Sequence, residues 1–223
     1  MEDAKRDELL GIMTDFFTQF ETALKTHSNP YIGSDFKAVR LSNCFDRPKR
    51  KVIAKDMLAN TRHINRELQE DTTNKTWSWY MLDSFYGNND ELALLQLIKE
   101  HIEQLQEQYE KVYLLRNEEV YKIYDFKEGK GFMPDFLLFL QDKTGEKIYY
   151  QVFIEVKGEQ FLGEDGTFEG GKEGWKANFL AEITERYGNN KAIITLESKK
   201  CKLIGLPFFN TRDKQPFNEA FKE

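Results

Sequence analysis

The stretch from Pro134 to Gly158 constrains this chain more than any other. Phe136-Leu-Leu-Phe-Leu140 is an unbroken apolar run, which reads as a short strand buried on both faces. Asp142 to Lys147 is polar and carries Gly145, where a positive φ is easiest, so it reads as a hairpin turn. Tyr149 to Val156 is aromatic and β-branched and reads as the returning strand. A turn centred near Gly145 puts Asp135 opposite Glu155. Opposed residues share a face, with Cβ atoms about 4.5–5.5 Å apart, and strand alternation adds Lys157 to that face. Two carboxylates and one ammonium would then meet at one end of an apolar hairpin. Opposed like charges repel. A divalent cation between them is the simplest relief, because Mg²⁺ is held by one or two carboxylates with water and phosphate oxygens. Lys157 would stand beside it, within reach of a phosphate oxygen or an attacking water.

The remaining sequence sets limits on function. With 223 residues, 40% hydrophobic and 31% charged, the chain suits a soluble globular protein of one large or two small domains. No apolar run approaches the ~20 residues of a membrane span, and the N-terminus lacks a signal-peptide core, so a cytoplasmic protein without membrane contact is expected. Cys44 and Cys201 lie far apart without metal-ligand spacing and read as reduced thiols. His27, His63 and His101 match no metal or nucleophile spacing. The net charge of −6 argues against a stand-alone nucleic-acid binder, since phosphate neutralisation supplies most of such affinity. It is compatible with a module carried by a larger DNA-binding machine, and predicts weak, salt-sensitive DNA binding by this piece alone.

In chain order, Glu8–Lys25 has helical apolar spacing, short strands are expected near 36–41 and 52–54, and a second helix over Asp56–Glu70. Arg47-Pro-Lys-Arg-Lys51 is the most basic stretch, read as a solvated turn or a phosphate-contacting patch. Trp77, Trp79, Tyr80 and Phe85 read as packing aromatics rather than a base-stacking platform. The clearest helix follows Gly87, with apolar positions from Leu92 through Leu105, Tyr109 and Val112. Asn88 suits its N-cap, with Glu91 placed for a capping box. Glu91 also lies on the core-facing stripe, so two roles stay open: helix cap, or third carboxylate at the metal. Asp90 is the alternative if the helix is rotated. Val112–Leu115 and Val120–Asp125 read as strand material. Residues 159–172, rich in glycine and acids, read as a long, exposed, mobile loop. A helix over Trp175–Tyr187 and strands over Ala192–Leu196 and Lys202–Leu206 follow. No phosphate-cradling glycine loop and no Gly-x-Ser-x-Gly occurs.

Pro134-Asp135 followed by Glu155-Val156-Lys157 at the end of an apolar strand resembles the PD-(D/E)xK nucleases. From Ser84 the similarity tightens. Ser84-Phe-Tyr-Gly-Asn-Asn-Asp-Glu91, Val112-Tyr-Leu-Leu-Arg-Asn-Glu118, Lys130-Gly-Phe-Met-Pro-Asp135-Phe-Leu-Leu-Phe and Ile154-Glu-Val-Lys-Gly158 look like the C-terminal endonuclease region of type III restriction enzyme Res subunits, over roughly residues 84–200. The resemblance implies an α/β fold: a restriction-endonuclease-like mixed sheet flanked by helices, over residues 84–223, after a mainly helical segment over residues 1–83. It implies Asp135, Glu155 and Lys157 as the catalytic set, with Glu91 at the helix carboxylate position. Mg²⁺, with Mn²⁺ as a substitute, would be held by Asp135, Glu155, the Val156 carbonyl and Glu91. The substrate would be double-stranded DNA. The partners would be an ATP-dependent helicase-like motor domain, on the same or a separate chain, and a modification methyltransferase subunit. The other expectation is a non-catalytic module of the same fold that docks DNA or a partner subunit.

Overall fold

The computed structural model describes residues 13–19, 33–37, 64–67, 69–70, 75–82, 84–118, 120–143, 148–189, 194–196 and 199–222. The chain forms two compact units, one of Met1–Asp35 with Ile123–Phe132, the other of Phe36–Lys122 with Met133–Glu223. In the first, residues 13–19 are helical. A small ribbon pairs Ile123 with Phe132 and Tyr124 with Gly131. Asp125 Oδ1 closes that ribbon by accepting from the amides of Glu128 at 3.0 Å and Lys130 at 2.8 Å.

The second unit is a mixed α/β fold on a five-stranded sheet. Its strands are β1 (Tyr109–Arg116), β2 (Phe136–Asp142), β3 (Ile148–Ile154), β4 (Ile194–Leu196) and β5 (Lys199–Gly205). They lie in the order β4-β5-β3-β2-β1. Only the β5–β3 pair is parallel. Strand β2 sits between β1 and β3, and Phe136, Leu137 and Leu138 are almost completely buried, as a continuous apolar run requires. The β2–β3 ladder pairs Phe136 with Ile154, Leu138 with Val152 and Leu140 with Tyr150. That is the register a turn centred on Gly145 produces, although residues 144–147 lie outside the described ones.

Helix α1 (Asn89–Gln108) packs on β1 and buries Leu94, Leu95 and Ile98 completely. Its start is a capping box: Asn88 Oδ1 accepts from the Glu91 amide at 2.9 Å, and Glu91 Oε2 accepts from the Asn88 amide at 2.8 Å. The helix stops at Gln108, one turn short of the apolar spacing that ran on to Val112. Tyr109 is extended and opens β1 directly. Lys143, just past β2, donates to the carbonyls of Gln106 at 3.0 Å and of Glu107, covering acceptors that a helix end leaves open.

Other expectations change. The helix expected over Asp56–Glu70 gives way at its end to Ile64–Glu67, a strand paired antiparallel with Ser84–Gly87. Gln69–Glu70 pairs with Lys75–Thr76. Cross-strand pairing with a partner further along the chain overrides a weak helical pattern. Residues 38–63, with the basic stretch Arg47–Lys51, lie outside the described ones. Trp77, Trp79 and Tyr80 are buried in the core with Phe85 and the α1 leucines; Trp77 and Trp79 stack with centroids 5.0 Å apart.

The glycine-rich loop after β3 has local order. A 3₁₀ turn spans Glu159–Phe161, Asp165 Oδ1 accepts from the Thr167 amide at 2.9 Å, and Gly166 takes φ +75°. Helix α2 (Gly174–Ile183) follows, running on through a π-type turn at Thr184–Gly188, and packs on β5. Helix α3 (Gln215–Lys222) comes last. No helix among the described residues is long and apolar enough to cross a membrane. Where α2 meets β5, a Cβ on Gly205 would stand 2.3 Å from the Leu180 carbonyl oxygen, so helix and strand touch backbone to backbone. Gly205→Ala is therefore expected to cost about 1–3 kcal/mol through overpacking, read as a lower urea midpoint at unchanged slope. A variant as stable as the parent would contradict this close approach.

Candidate active site

The sheet order brings three chain ends together: Arg116 at the end of β1, Asp135 before β2, and Glu155 to Lys157 after β3. One step past the Phe136–Ile154 pair, Asp135 and Glu155 face across the ladder. Asp135 Oδ2 accepts from the Val156 amide at 2.8 Å, and its backbone carbonyl accepts from the Asn117 amide at 2.8 Å. The Asn117 side chain makes four hydrogen bonds. Its Nδ2 donates to the carbonyls of Tyr121 at 2.7 Å and Pro134 at 2.9 Å, and its Oδ1 accepts from the amides of Val120 at 3.1 Å and Tyr121 at 2.8 Å. The peptide entering Asp135 is thus tied down from both sides.

Beyond β3 the chain runs alongside Phe209. The Phe209 amide donates to the Glu155 carbonyl, and the Lys157 amide to the Phe209 carbonyl, both at 2.9 Å. Buried Asn210 donates to the Lys157 carbonyl at 2.7 Å. Glu155 and Lys157 are 2% and 8% exposed, so their charges have little access to water. Lys157 Nζ lies 2.7 Å from Glu155 Oε1 and 2.5 Å from Glu173 Oε2. Lys176 Nζ lies 2.9 Å from Glu173 Oε1 and 3.3 Å from Glu155 Oε1. Two acids and two lysines close a ring of alternating charge, with Lys157 also over the Phe161 ring at 4.8 Å.

On the α1 side, Arg116 Nη2 is 3.0 Å from Glu91 Oε1 and its Nε is 3.0 Å from Glu118 Oε1. Its guanidinium lies over Phe85 and Phe136. Gly87 makes room for it: a Cβ there would come within 2.3 Å of Arg116 Nη1 and 2.2 Å of Glu91 Oε2. Both Glu91 oxygens are engaged, on the Asn88 amide and on Arg116, so a metal role for Glu91 requires it to release Arg116. Asp90 instead accepts from Thr211 Oγ1 at 2.6 Å. The structure therefore brings Asp135, Glu155, Val156 and Lys157 together. It adds Arg116, Asn117, Glu173, Lys176 and Asn210, none of which the sequence marks as a site residue. A Glu-Lys pair three residues apart at a helix start was the visible signal for Glu173 and Lys176.

Burial raises the Glu155 carboxyl to about 7, the neighbouring Asp135 charge adds to it, and Lys157 and Lys176 oppose it. Asp135 is also raised, first by burial and further by Glu91, against the pull of the Val156 amide, Lys157 and Arg116. Burial disfavours the Lys157 ammonium, but Glu155 and Glu173 outweigh it and hold that lysine above its ordinary value. Burial likewise works against the Glu173 carboxylate, yet the hydrogen bonds from Lys157 and Lys176 hold it below the usual range. Glu155 Oε2 is buried with no hydrogen-bond partner. An orphaned, hard oxygen in a carboxylate that has Asp135 as a charged neighbour fits a divalent cation such as Mg²⁺. Among the described residues no group of three or more His, Cys, Asp and Glu stands arranged to hold a metal, so the fit rests on Asp135, Glu155 and backbone oxygen.

Fold and site together define a mixed α/β domain with a buried carboxylate–lysine cluster at the ends of its central strands. Residues 30–222 match the model of a family described as a C-terminal domain, and the chain belongs to that family. It is 35% identical over 218 residues to an uncharacterized protein of Haemophilus influenzae, covering 94% of this chain and 43% of that relative. The chain thus spans less than half the length of the relative it matches. No solved structure matches it.

The raised Glu155 carboxyl has a consequence for stability. A carboxyl with a raised folded pKa binds more protons folded than unfolded, so its protonated form favours folding. That contribution is complete below the ordinary value of 4.5 and is lost as pH rises through about 7. Urea unfolding across pH 5 to 8 should show the parent losing stability relative to Glu155→Gln over this window. Parallel curves for the two would contradict the assignment.

Proposed function

We propose that this chain is a Mg²⁺-dependent endodeoxyribonuclease module of PD-(D/E)xK type, similar to the C-terminal endonuclease region of type III restriction enzyme Res subunits. Its reaction is hydrolysis of phosphodiester bonds in double-stranded DNA. Its setting is a larger assembly with an ATP-dependent helicase-like motor domain and a modification methyltransferase subunit. The observation that carries this reading is the convergence of Asp135, Glu155 and Lys157 at one end of the β2–β3 hairpin, with Glu155 Oε2 buried and unpartnered. A fold that needed only stability gains little from such a cluster, because buried ion pairs are often replaced by apolar residues without loss.

Asp135 and Glu155, with the Val156 carbonyl, are the residues that would hold Mg²⁺ or Mn²⁺. When bound, the ion polarises the phosphoryl oxygen and lowers the pKa of a coordinated water. Lys157 orients that water or offsets charge building on the phosphorus. Asn117 and Asn210 fix the backbone at Pro134 and Lys157, so the acids and the lysine meet the substrate without reorganising. Glu91 orients Arg116 beside Asp135.

One observation favours the second reading, a non-catalytic docking module: the site's acids and lysines already neutralise one another. Calorimetry with Mn²⁺ separates the two, since a docking module has no reason to bind the ion at Asp135 and Glu155. The nuclease reading predicts nicking of supercoiled plasmid with Mg²⁺ or Mn²⁺, reduced about 100-fold or more in Asp135→Ala and Lys157→Ala. Variants that nick as fast as the parent would overturn the catalytic assignment.

A further inference from the structure

We infer that Lys157 and Lys176 form a subsite for a phosphate group of the nucleic-acid strand, and that Glu173 fills it until the strand displaces it. This inference rests on the nuclease reading of Asp135, Glu155 and Lys157. Glu173 is gripped in the way a phosphate would be. Its Oε2 meets Lys157 at 2.5 Å and its Oε1 meets Lys176 at 2.9 Å. The two non-bridging oxygens of a phosphodiester offer the same forked, singly negative face to two cations.

The two lysines are held, and the acid is the part able to leave. Lys157 is anchored through its backbone to Phe209 and Asn210, and Lys176 stands on the first turn of α2. Both also contact Glu155, which is 3% exposed at its side chain and fixed after β3. Glu173 is different. Its side chain is 28% exposed, and it follows the glycine-rich loop through Gly170 and Gly171. It occupies the N-cap position of α2 without making a side-chain cap hydrogen bond. It can therefore swing out without uncapping the helix. A phosphate taking its place preserves the alternation of charge around the ring. Losing one partner of a buried ion pair with nothing in exchange is strongly unfavourable, so Glu173 leaves only as a phosphate takes its place, and its competition lowers the affinity of the parent. The subsite also gives an acidic chain a defined point of contact with DNA.

The test is fluorescence anisotropy of the full chain with a labelled DNA duplex, at low salt and without divalent metal, on variants whose melting temperatures are checked. Glu173→Gln is expected to bind about ten-fold tighter, because it removes the competing occupant from the binding-competent state. Glu164→Gln, the same charge change on an exposed loop residue, should leave affinity within error of the parent. Lys176→Gln should weaken binding in the parent and remove the gain from Glu173→Gln in the double variant. Equal effects of Glu173→Gln and Glu164→Gln, or a gain that survives Lys176→Gln, would overturn the inference. If the gain appears but no variant cuts DNA with Mg²⁺ or Mn²⁺, the subsite stands and the nuclease reading fails. If the parent cuts and Glu173→Gln gains nothing, the reverse holds.

Discussion

The hydrogen bond from the Val156 amide to Asp135 Oδ2 is the contact on which the rest of the site depends. It sits where the β2–β3 ladder runs out, and it locks the side chain of one strand to the backbone of the other. Because side chains alternate, a slip of one residue would turn the whole set to the opposite face. The dense apolar pairing of Phe136–Leu140 with Tyr150–Ile154 prevents that slip. Burial of the hairpin therefore fixes the register, and the register places Asp135 and Glu155 across from one another.

The surrounding charges form two groups on either side of that contact. Towards α1, Glu91 joins a helix start to Arg116, so the capping box that begins the helix also orients a guanidinium at the end of β1. Towards α2, Glu155, Lys157, Glu173 and Lys176 close their ring. Burial disfavours the Glu155 charge while the acids around Lys157 favour its ammonium, so an added cation or anion at the cluster shifts this balance. A divalent ion would draw Glu155 to its charged form, and a phosphate would compete for the lysines.

The central hairpin was legible in the sequence because its signals are local: an apolar run, a polar turn with Gly145, a β-branched return. The α1 cap was legible for the same reason, since Asn88 and Glu91 lie within one turn. Arg116 and Asn210 were not, because each reaches the site only through tertiary packing that no short pattern encodes, and the Glu173–Lys176 spacing marks a helix start without saying what that helix faces. Arg116 falls between the two stretches that read as strand, and Glu173 between the loop over 159–172 and the helix over Trp175–Tyr187. The helix expected over Asp56–Glu70 failed where a strand partner at Ser84–Gly87 outweighed a sparse apolar spacing. The end of α1 was misplaced because Tyr109 and Val112 are apolar at helical intervals yet equally suited to β1.

The most direct measurement is a crystal of the chain soaked in Mn²⁺ and read by anomalous scattering. One strong peak is expected, bound by the carboxylates of Asp135 and Glu155, beside Lys157 Nζ, with Glu155 Oε2 now a ligand. A saturated crystal with no peak there, and Glu155 still closed on Lys157 and Lys176, would contradict the metal site.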